Sequence, residues 1–278
     1  MTSDHAFWQV DVFAQEPFSG NPLAVITDAD HLSDAMMARI ANWTNLSETT
    51  FLLRPTTPDA SYRVRIFTPS EELPFAGHPT LGTASVWAAL PGNSHEGMIV
   101  QECGVGLVRV KVQDNRLAFA APPRRKSGAL SAAEYAQALA ALNLTPDKVL
   151  DAAWGDNGPG WQVLHLQDQQ SVRDICPNWQ IIANAQYGVV GACPEGSEAQ
   201  FELRAFAGGR QGFEDPVTGS LNAAIAQWLM EKNMAPSRYI ACQGSALGRN
   251  GRIVVEREGD TIWIGGAVIH NIKGTLSI

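Results

Sequence analysis

Two stretches of this chain repeat one another and limit what it can fold into. Gly77-His78-Pro79-Thr80-Leu81-Gly82-Thr83-Ala84-Ser85-Val86-Trp87 and Gly219-Ser220-Leu221-Asn222-Ala223-Ala224-Ile225-Ala226-Gln227-Trp228 each set a glycine and a polar or imidazole residue ahead of about three helical turns of Ala-rich sequence. No Asp, Glu, Lys or Arg occurs from Pro79 to Leu90 or from Val217 to Met230. A helix without a charged face belongs in an interior, so both are expected to be buried on all sides. Their first N–H groups still need partners, and the dipole makes those ends receptive to anions. The pattern predicts two such ends, one in each half, at Gly77-His78 and Gly219-Ser220.

What surrounds these helices reads mainly as strand. Phe7–Phe13 is β-rich, Ser19-Gly20-Asn21-Pro22 turns the chain, and Leu23–Ile26 continues. Ser33 caps a helix with Met36, Met37, Ile40 and Trp43 along one side, and Thr49–Leu53 is a further strand. Tyr62, Val64 and Ile66 alternate with Arg63 and Arg65, and Val108, Val110 and Val112 with Arg109 and Lys111, the latter in a hairpin with residues 97–102. Residues 121–128, with Pro122, Pro123 and the basic trio Arg124, Arg125 and Lys126, read as a solvated linker. The second half repeats the order: a capping box at Ser131–Glu134, strands at 161–166, 187–192 and 201–206, the second helix, then hairpin-like sequence at 253–256 and 262–264. The expected fold is α+β: two pseudo-symmetric domains, residues 1–122 and 123–265, with 266–278 returning to the first. Each is a curled, mostly antiparallel sheet forming a barrel around its buried helix, with the active site in the cleft between them.

Composition narrows the partners. Of 278 residues, 45% are hydrophobic and 17% charged, with a net charge of −8 and no Lys/Arg run, which argues against a nucleic-acid surface. No segment approaches the ~18 apolar residues of a membrane span, and the first residues lack the features of a signal peptide, so a cytoplasmic protein is expected. Cys103, Cys176, Cys193 and Cys242 have neither disulfide nor zinc spacing and read as reduced thiols, with no metal or cofactor implied.

Three polar groupings carry candidate chemistry. Glu48 lies where a helix meets an apolar strand, and partial burial of a carboxylate there suits proton transfer; a plain strand-edge role is the alternative. His78 is placed at an N-cap, where the dipole favours the neutral ring, and Gly77 lets a ligand approach the backbone. Glu71 and Glu72 read as surface acids. Asp215 precedes Pro216 and is biased to extended geometry, so it projects from its loop. Ser220 is placed as a cap or ligand donor, and the amides near Gly219 and Ser220 suit a carboxylate.

Taken together, Ser19-Gly20-Asn21-Pro22, Asn45-Leu46-Ser47-Glu48, Pro74-Phe75-Ala76-Gly77-His78-Pro79-Thr80-x-Gly82-Thr83-Ala84, Glu214-Asp215-Pro216-x-Thr218-Gly219-Ser220 and Gln243-Gly244-x-x-x-Gly248-Arg249 resemble the phenazine-biosynthesis PhzF-like proteins, in order and through nearly the whole chain. The resemblance implies the diaminopimelate-epimerase-like fold. It also implies a cofactor-independent isomerase that moves a proton between carbons of a small carboxylic acid, either dihydro-3-hydroxyanthranilate-like or amino-acid-like. Glu48 matches the acid/base glutamate; His78, Asp215 and Ser220 match polar active-site residues; Gly77 and Gly219 match substrate-binding glycines; Asn21 matches a further substrate-binding position. A homodimer is implied as well. Two alternatives stand beside this reading. One is a two-base racemase or epimerase on the same fold, whose cysteines would fall at Ala76 and Thr218; Ala76 cannot transfer a proton. The other is a non-catalytic member that binds small acids, for which Glu48 would be superfluous.

Overall fold

The computed structural model describes residues 4–93, 96–114, 116–209 and 212–278. The chain divides into two compact units, one running to Ala120 and taking in Gly265–Ile278, the other Ala121–Ile264.

Unit 1 contains β1 (Asp4–Val12), β2 (Asn21–Ile26), α1 (Asp34–Thr44), β3 (Thr49–Leu53), β4 (Tyr62–Phe67), β5 (Glu72–Leu73), α2 (Gly77–Ala89), β6 (Gly97–Cys103), β7 (Gly106–Gln113) and β8 (Arg116–Ala120). Unit 2 contains β9 (Lys126–Ala129), α3 (Ala132–Leu142), β10 (Val149–Asp156), β11 (Trp161–Leu166), α4 (Gln169–Arg173), α5 (Trp179–Ile182), β12 (Gln186–Ala192), β13 (Phe201–Ala207), β14 (Phe213–Asp215), α6 (Gly219–Glu231), β15 (Arg238–Gln243) and β16 (Gly251–Glu258). The last strand, β17 (Thr261–Ser277), begins in unit 2 and ends in unit 1.

Unit 1 closes into an eight-stranded barrel. β1 pairs with β2, β2 with β3, β3 with β4, β4 with β6, β6 with β7, β7 with β8, β8 with β17, and β17 back with β1. The expectation of a mostly antiparallel sheet holds with two parallel joints, β2–β3 and β4–β6. Each joint is a crossover carrying a helix, and a helix between neighbouring strands returns the chain in the same direction. The helix α2 crosses the interior, touching β1, β2, β3, β4, β6, β7 and β8. Gly82 lets it pack close to the wall: a Cβ there would lie 2.5 Å from Leu23 Cδ2 and 3.0 Å from Val12 Cγ2.

The outer face of β2 and β3 is covered too, which is why those strands read as continuous apolar runs. Met37, Ile40 and Ala41 of α1 pack there against Ala24, Ile26, Phe51 and Leu53. Trp43 does not join them and is 80% exposed. The buried arc runs through 37, 40 and 41, and at 100° per residue Trp43 falls beyond its edge.

Unit 2 repeats the plan. Antiparallel β9–β10–β11 is followed by parallel β11–β12, antiparallel β12–β13, parallel β13–β15 and antiparallel β15–β16. The interior helix α6 touches β10, β11 and β16, while α3, α4 and α5 contribute Ala138, Leu142, Val172 and Ile182 to a layer over Leu164, Leu166 and Val189. Gly188 makes room for Leu221 of α6, whose Cδ1 would be 2.1 Å from an added Cβ. The expected capping box forms, Ser131 accepting from the Glu134 amide and Glu134 from that of Ser131. The linker reading of 121–128 needs correction: β9 starts at Lys126 and pairs with β10, Arg124 meets Glu231, and Lys126 sits 3.4 Å over the Trp154 ring. Arg124 and Lys126 found acidic and aromatic neighbours that sequence periodicity cannot show, while Arg125 and Lys126 stay exposed as expected. Among the described residues no helix is long and apolar enough to cross a membrane.

Candidate active site

In unit 1, three of the sequence-predicted residues converge at the start of α2. The first is delivered by a break in α1. Asn45 ends that helix at φ 54°, a left-handed conformation that Asn tolerates well. Leu46 then packs on the α1 core, and Glu48 arrives just before β3 with its side chain 15% exposed. The second, His78, is buried in the first turn of α2. It is not the N-cap, as expected from sequence; Ala76 is, leaving Gly77 and His78 as the first two helical residues. The third, Asn21, is fully buried at the first position of β2, two residues earlier than the expected turn-to-strand boundary.

His78 links the other two. Its Nε2 lies 3.5 Å from Glu48 Oε2, and its Nδ1 3.5 Å from Asn21 Nδ2. Burial pushes the imidazole pKa down from its ordinary 6.5 to about 3. Desolvation is the cause, where the sequence pointed to the helix dipole. The ring is therefore neutral, and its 3.5 Å approach to Glu48 Oε2 is not an ion pair.

The surroundings fix this trio. The buried Asp11 carboxylate accepts the Gly20 amide at 3.1 Å to each oxygen. Thr83 of α2 donates to Thr50 of β3, which donates to the Ala24 carbonyl of β2. Tyr62 donates to Gln101, whose amide donates to Thr80 Oγ1 at 2.9 Å.

In unit 2, Asp215 closes β14 and accepts the Thr218 hydroxyl at 2.6 Å. Thr218 is the N-cap of α6, so Gly219 and Ser220 are again the first two helical residues and Ser220 is not the expected cap. Ser220 Oγ accepts Trp161 Nε1 at 3.0 Å, and its carbonyl accepts Asn157 Nδ2 at 2.8 Å. Buried Gln243 ties the loop together: its Oε1 accepts the Thr218 amide and Asn222 Nδ2, and its Nε2 donates to the Asp215 carbonyl and Thr218 Oγ1. Gln101 and Gln243 thus repeat one role, each reaching from the strand after its central helix to that helix's first turns.

The motif Gln243-Gly244-x-x-x-Gly248-Arg249 now has a physical basis. Gly244 at φ 97° leaves no space for a side chain between Arg249 Cβ and the Pro216 carbonyl, 2.7 and 2.8 Å from an added Cβ. Sequence reasoning missed Asn157 and Trp161, which carry no local motif, and Gln101, which looks like an ordinary strand residue. Thr218 was considered only as the place of a racemase cysteine, and its hydroxyl is engaged with Asp215. Among the described residues no group of three or more His, Cys, Asp or Glu side chains is arranged to hold a metal ion. The four cysteines are free thiols.

What the arrangement offers is a carboxylate against a neutral imidazole beside one helix start, and an acid and a hydroxyl at the other helix start. In helices that begin this way, the N–H groups of the first turn have no partner within the helix.

Comparison with known proteins agrees with the architecture. Residues 10–271 match the family model PhzC-PhzF, phenazine biosynthesis-like protein. An uncharacterised isomerase of Mesorhizobium japonicum is 37% identical over 267 residues, covering 88% of each chain. The trans-2,3-dihydro-3-hydroxyanthranilate isomerase of Pseudomonas aeruginosa is 32% identical over 259 residues, covering 92% of this chain and 91% of its own. A crystal structure of a phenazine biosynthesis protein of the PhzF family from Enterococcus faecalis superposes with a TM-score of 0.82 at 26% identity, covering 99% of this chain and all of that one.

Proposed function

Since the chain belongs to the PhzC-PhzF, phenazine biosynthesis-like family, we propose that it is an isomerase that moves a proton between carbons of a small carboxylic acid, dihydro-3-hydroxyanthranilate-like or amino-acid-like, with Glu48 as its single acid/base. Relatives named as isomerases support the reaction class. The observation that carries the residue assignment is Glu48 Oε2 set 3.5 Å from the buried neutral His78 Nε2.

As carboxylate, Glu48 removes a proton from a carbon next to a π system. The electrons left behind delocalise into that system. The same residue, now an acid, returns the proton at another carbon, so one group serves both half-steps. His78, neutral through the working pH range, donates to Glu48 or to developing negative charge without competing for the proton. In this reading the amides at Gly219 and Ser220 take a carboxylate, and Asp215 takes an amino or hydroxyl group. Gly77 lets the reacting carbon come close to the backbone of α2. No cofactor is needed for such a step. Assembly as a cytoplasmic homodimer completes the reading; a light-scattering mass of a single chain removes the dimer.

The test is Glu48→Gln assayed on trans-2,3-dihydro-3-hydroxyanthranilate and a panel of unsaturated and amino acids. The variant keeps shape and folding and loses turnover by at least about 10³-fold, within the range expected when an acid/base group is removed. Turnover close to that of the unmodified enzyme would reject the assignment. The racemase alternative needs a second proton-transferring group at the other face of the carbon. With Ala76 and a hydrogen-bonded Thr218 at those positions, nothing in the site favours it.

A further inference from the structure

We infer that Asn21 is a positioning residue that fixes His78 in its Nε2–H tautomer, with Asp11 as the buried anchor of the loop that delivers it. This goes beyond the substrate-binding role first assigned to Asn21. It deepens the reading of Glu48 as acid/base and rests on it for its catalytic consequence, though not for the tautomer itself.

A neutral imidazole carries one N–H, and whichever nitrogen bears it is set by what the other nitrogen meets. Two contacts constrain His78. On one side Nε2 faces Glu48 Oε2 at 3.5 Å. A lone pair pointed at a carboxylate oxygen repels it, whereas an N–H attracts it. On the other side Nδ1 faces the Asn21 side-chain amide at 3.5 Å. An amide can present either its NH₂ or its oxygen, so Asn21 alone does not decide the matter. With Glu48 as the carboxylate that begins the reaction, the two contacts agree in only one combination. Asn21 Nδ2 donates to a bare Nδ1, and Nε2–H is turned toward Glu48 Oε2. The reverse combination would place two unshared electron pairs face to face in a buried setting, where such repulsion is least screened.

The supports of Asn21 are consistent with a demand for position. Asn21 is fully buried, and Asp11, also buried, keeps its carboxylate on the amide of the preceding residue, Gly20. A carboxylate is costly to bury unless it is bonded, and this one is bonded to the residue next to Asn21. Ser19 is bound as well, its hydroxyl donating to the Glu16 carbonyl and accepting from the amides of Gln15 and Glu16. The loop leading into β2 is therefore pinned at two successive residues before Asn21.

The tautomer matters for turnover because Nε2–H supports the carboxylate form of Glu48 and then, at the same point, charge developing on the substrate. With the proton on Nδ1, the ring presents a lone pair to both.

The experiment is two-bond ¹H–¹⁵N correlation spectroscopy of histidine-labelled protein near pH 7. The His78 ring is assigned among the six histidines by its loss in His78→Asn. The unmodified protein shows the Nε2–H pattern. Asn21→Asp, whose carboxylate can only accept, moves the ring to Nδ1–H or to the doubly protonated form. Asn21→Ala gives a tautomer mixture, with kcat falling about 10²-fold and KM changing less than about threefold, the order expected when a reacting group is misoriented. An Nδ1–H pattern in the unmodified protein overturns the inference outright, without any variant having to fold. So does an Nε2–H pattern unchanged in both Asn21 variants. If Glu48→Gln keeps its activity while the tautomer behaves as described, the proposed function fails and the positioning role survives.

Discussion

Gly20→Ala is the substitution that ties fold to chemistry most tightly. Gly20 has no unusual φ that demands glycine; the demand is for space. A Cβ there would lie 2.2 Å from the Val12 carbonyl oxygen, 3.0 Å from the Ala14 amide nitrogen and 3.0 Å from Asp11 Oδ1. The first two are backbone atoms, and Val12 is held between β2 and β17 by strand pairing, so neither yields as a side chain would. Restoring ordinary contact requires residue 20 to move by about 1 Å. Overpacking of this kind costs about 1–3 kcal/mol. The same movement weakens the bonds from the Gly20 amide to the buried Asp11 carboxylate, worth about 1.5–3 kcal/mol for a charged acceptor. Because one displacement relieves part of the clash by breaking those bonds, the sum is not additive, and we expect about 3 kcal/mol in total. That is a large share of the ~5–15 kcal/mol of an ordinary domain.

Asn21 is carried along, so its contact with His78 lengthens and kcat falls by up to about 10²-fold. Urea unfolding followed by the fluorescence of the eight tryptophans gives the first quantity, and steady-state kinetics gives the second. An unchanged urea midpoint together with an unchanged kcat would refute the reasoning that this turn is pinned to serve the site.

Two further predictions follow from the buried polar groups. His78 has a folded pKa of about 3 against an ordinary 6.5, so between those values the unfolded chain binds a proton that the native protein refuses. Stability is therefore lost as pH falls through that window, by up to about 1.4 kcal/mol per pH unit from this group. Urea midpoints at a series of pH values should fall more steeply for the unmodified protein than for His78→Gln; parallel curves would contradict a neutral buried ring. Gln243→Leu removes the acceptor of the Thr218 amide and of Asn222 Nδ2 and the donor to the Asp215 carbonyl. It should cost about 2–4 kcal/mol and raise KM more than it lowers kcat, because the loop it holds is assigned to binding; a kcat effect with KM unchanged would move that loop into the chemistry.

The parts of this structure legible in the sequence were those where one local pattern had one physical meaning. The absence of charge from Pro79 to Leu90 and from Val217 to Met230 announced two interior helices, because no other environment accepts them. Ser131 and Glu134 announced a capping box for the same reason. The convergence of Asn21, Glu48 and His78 was not derivable from any one segment, since they come from three elements brought together by barrel closure; only the joint pattern of motifs pointed there. What the sequence misplaced depended on neighbours distant in the chain. His78 and Ser220 were set at caps, yet Ala76 and Thr218 cap their helices, neither through a side-chain hydrogen bond. The basic run at 124–126 was expected to be solvated, and Arg125 and Lys126 are exposed, but the neighbours Glu231, Glu134 and Trp154 were hidden from the sequence. Trp43 fits a helical stripe in sequence and lies outside the arc the barrel wall covers. Trp161, Asn157, Gln101 and Gln243 act across the sheet, where sequence separation hides the pairing.

The most direct measurement of the central claim is proton exchange at carbon, followed by NMR in D₂O with trans-2,3-dihydro-3-hydroxyanthranilate or whichever acid of the panel turns over. The account predicts that deuterium enters at a carbon of the rearranged product, through exchange of the proton held on Glu48 with solvent before it is delivered, and that Glu48→Gln abolishes both the incorporation and the rearrangement while its urea midpoint stays near that of the unmodified protein. Incorporation persisting in Glu48→Gln, or rearrangement with no exchange and no loss in that variant, would contradict it.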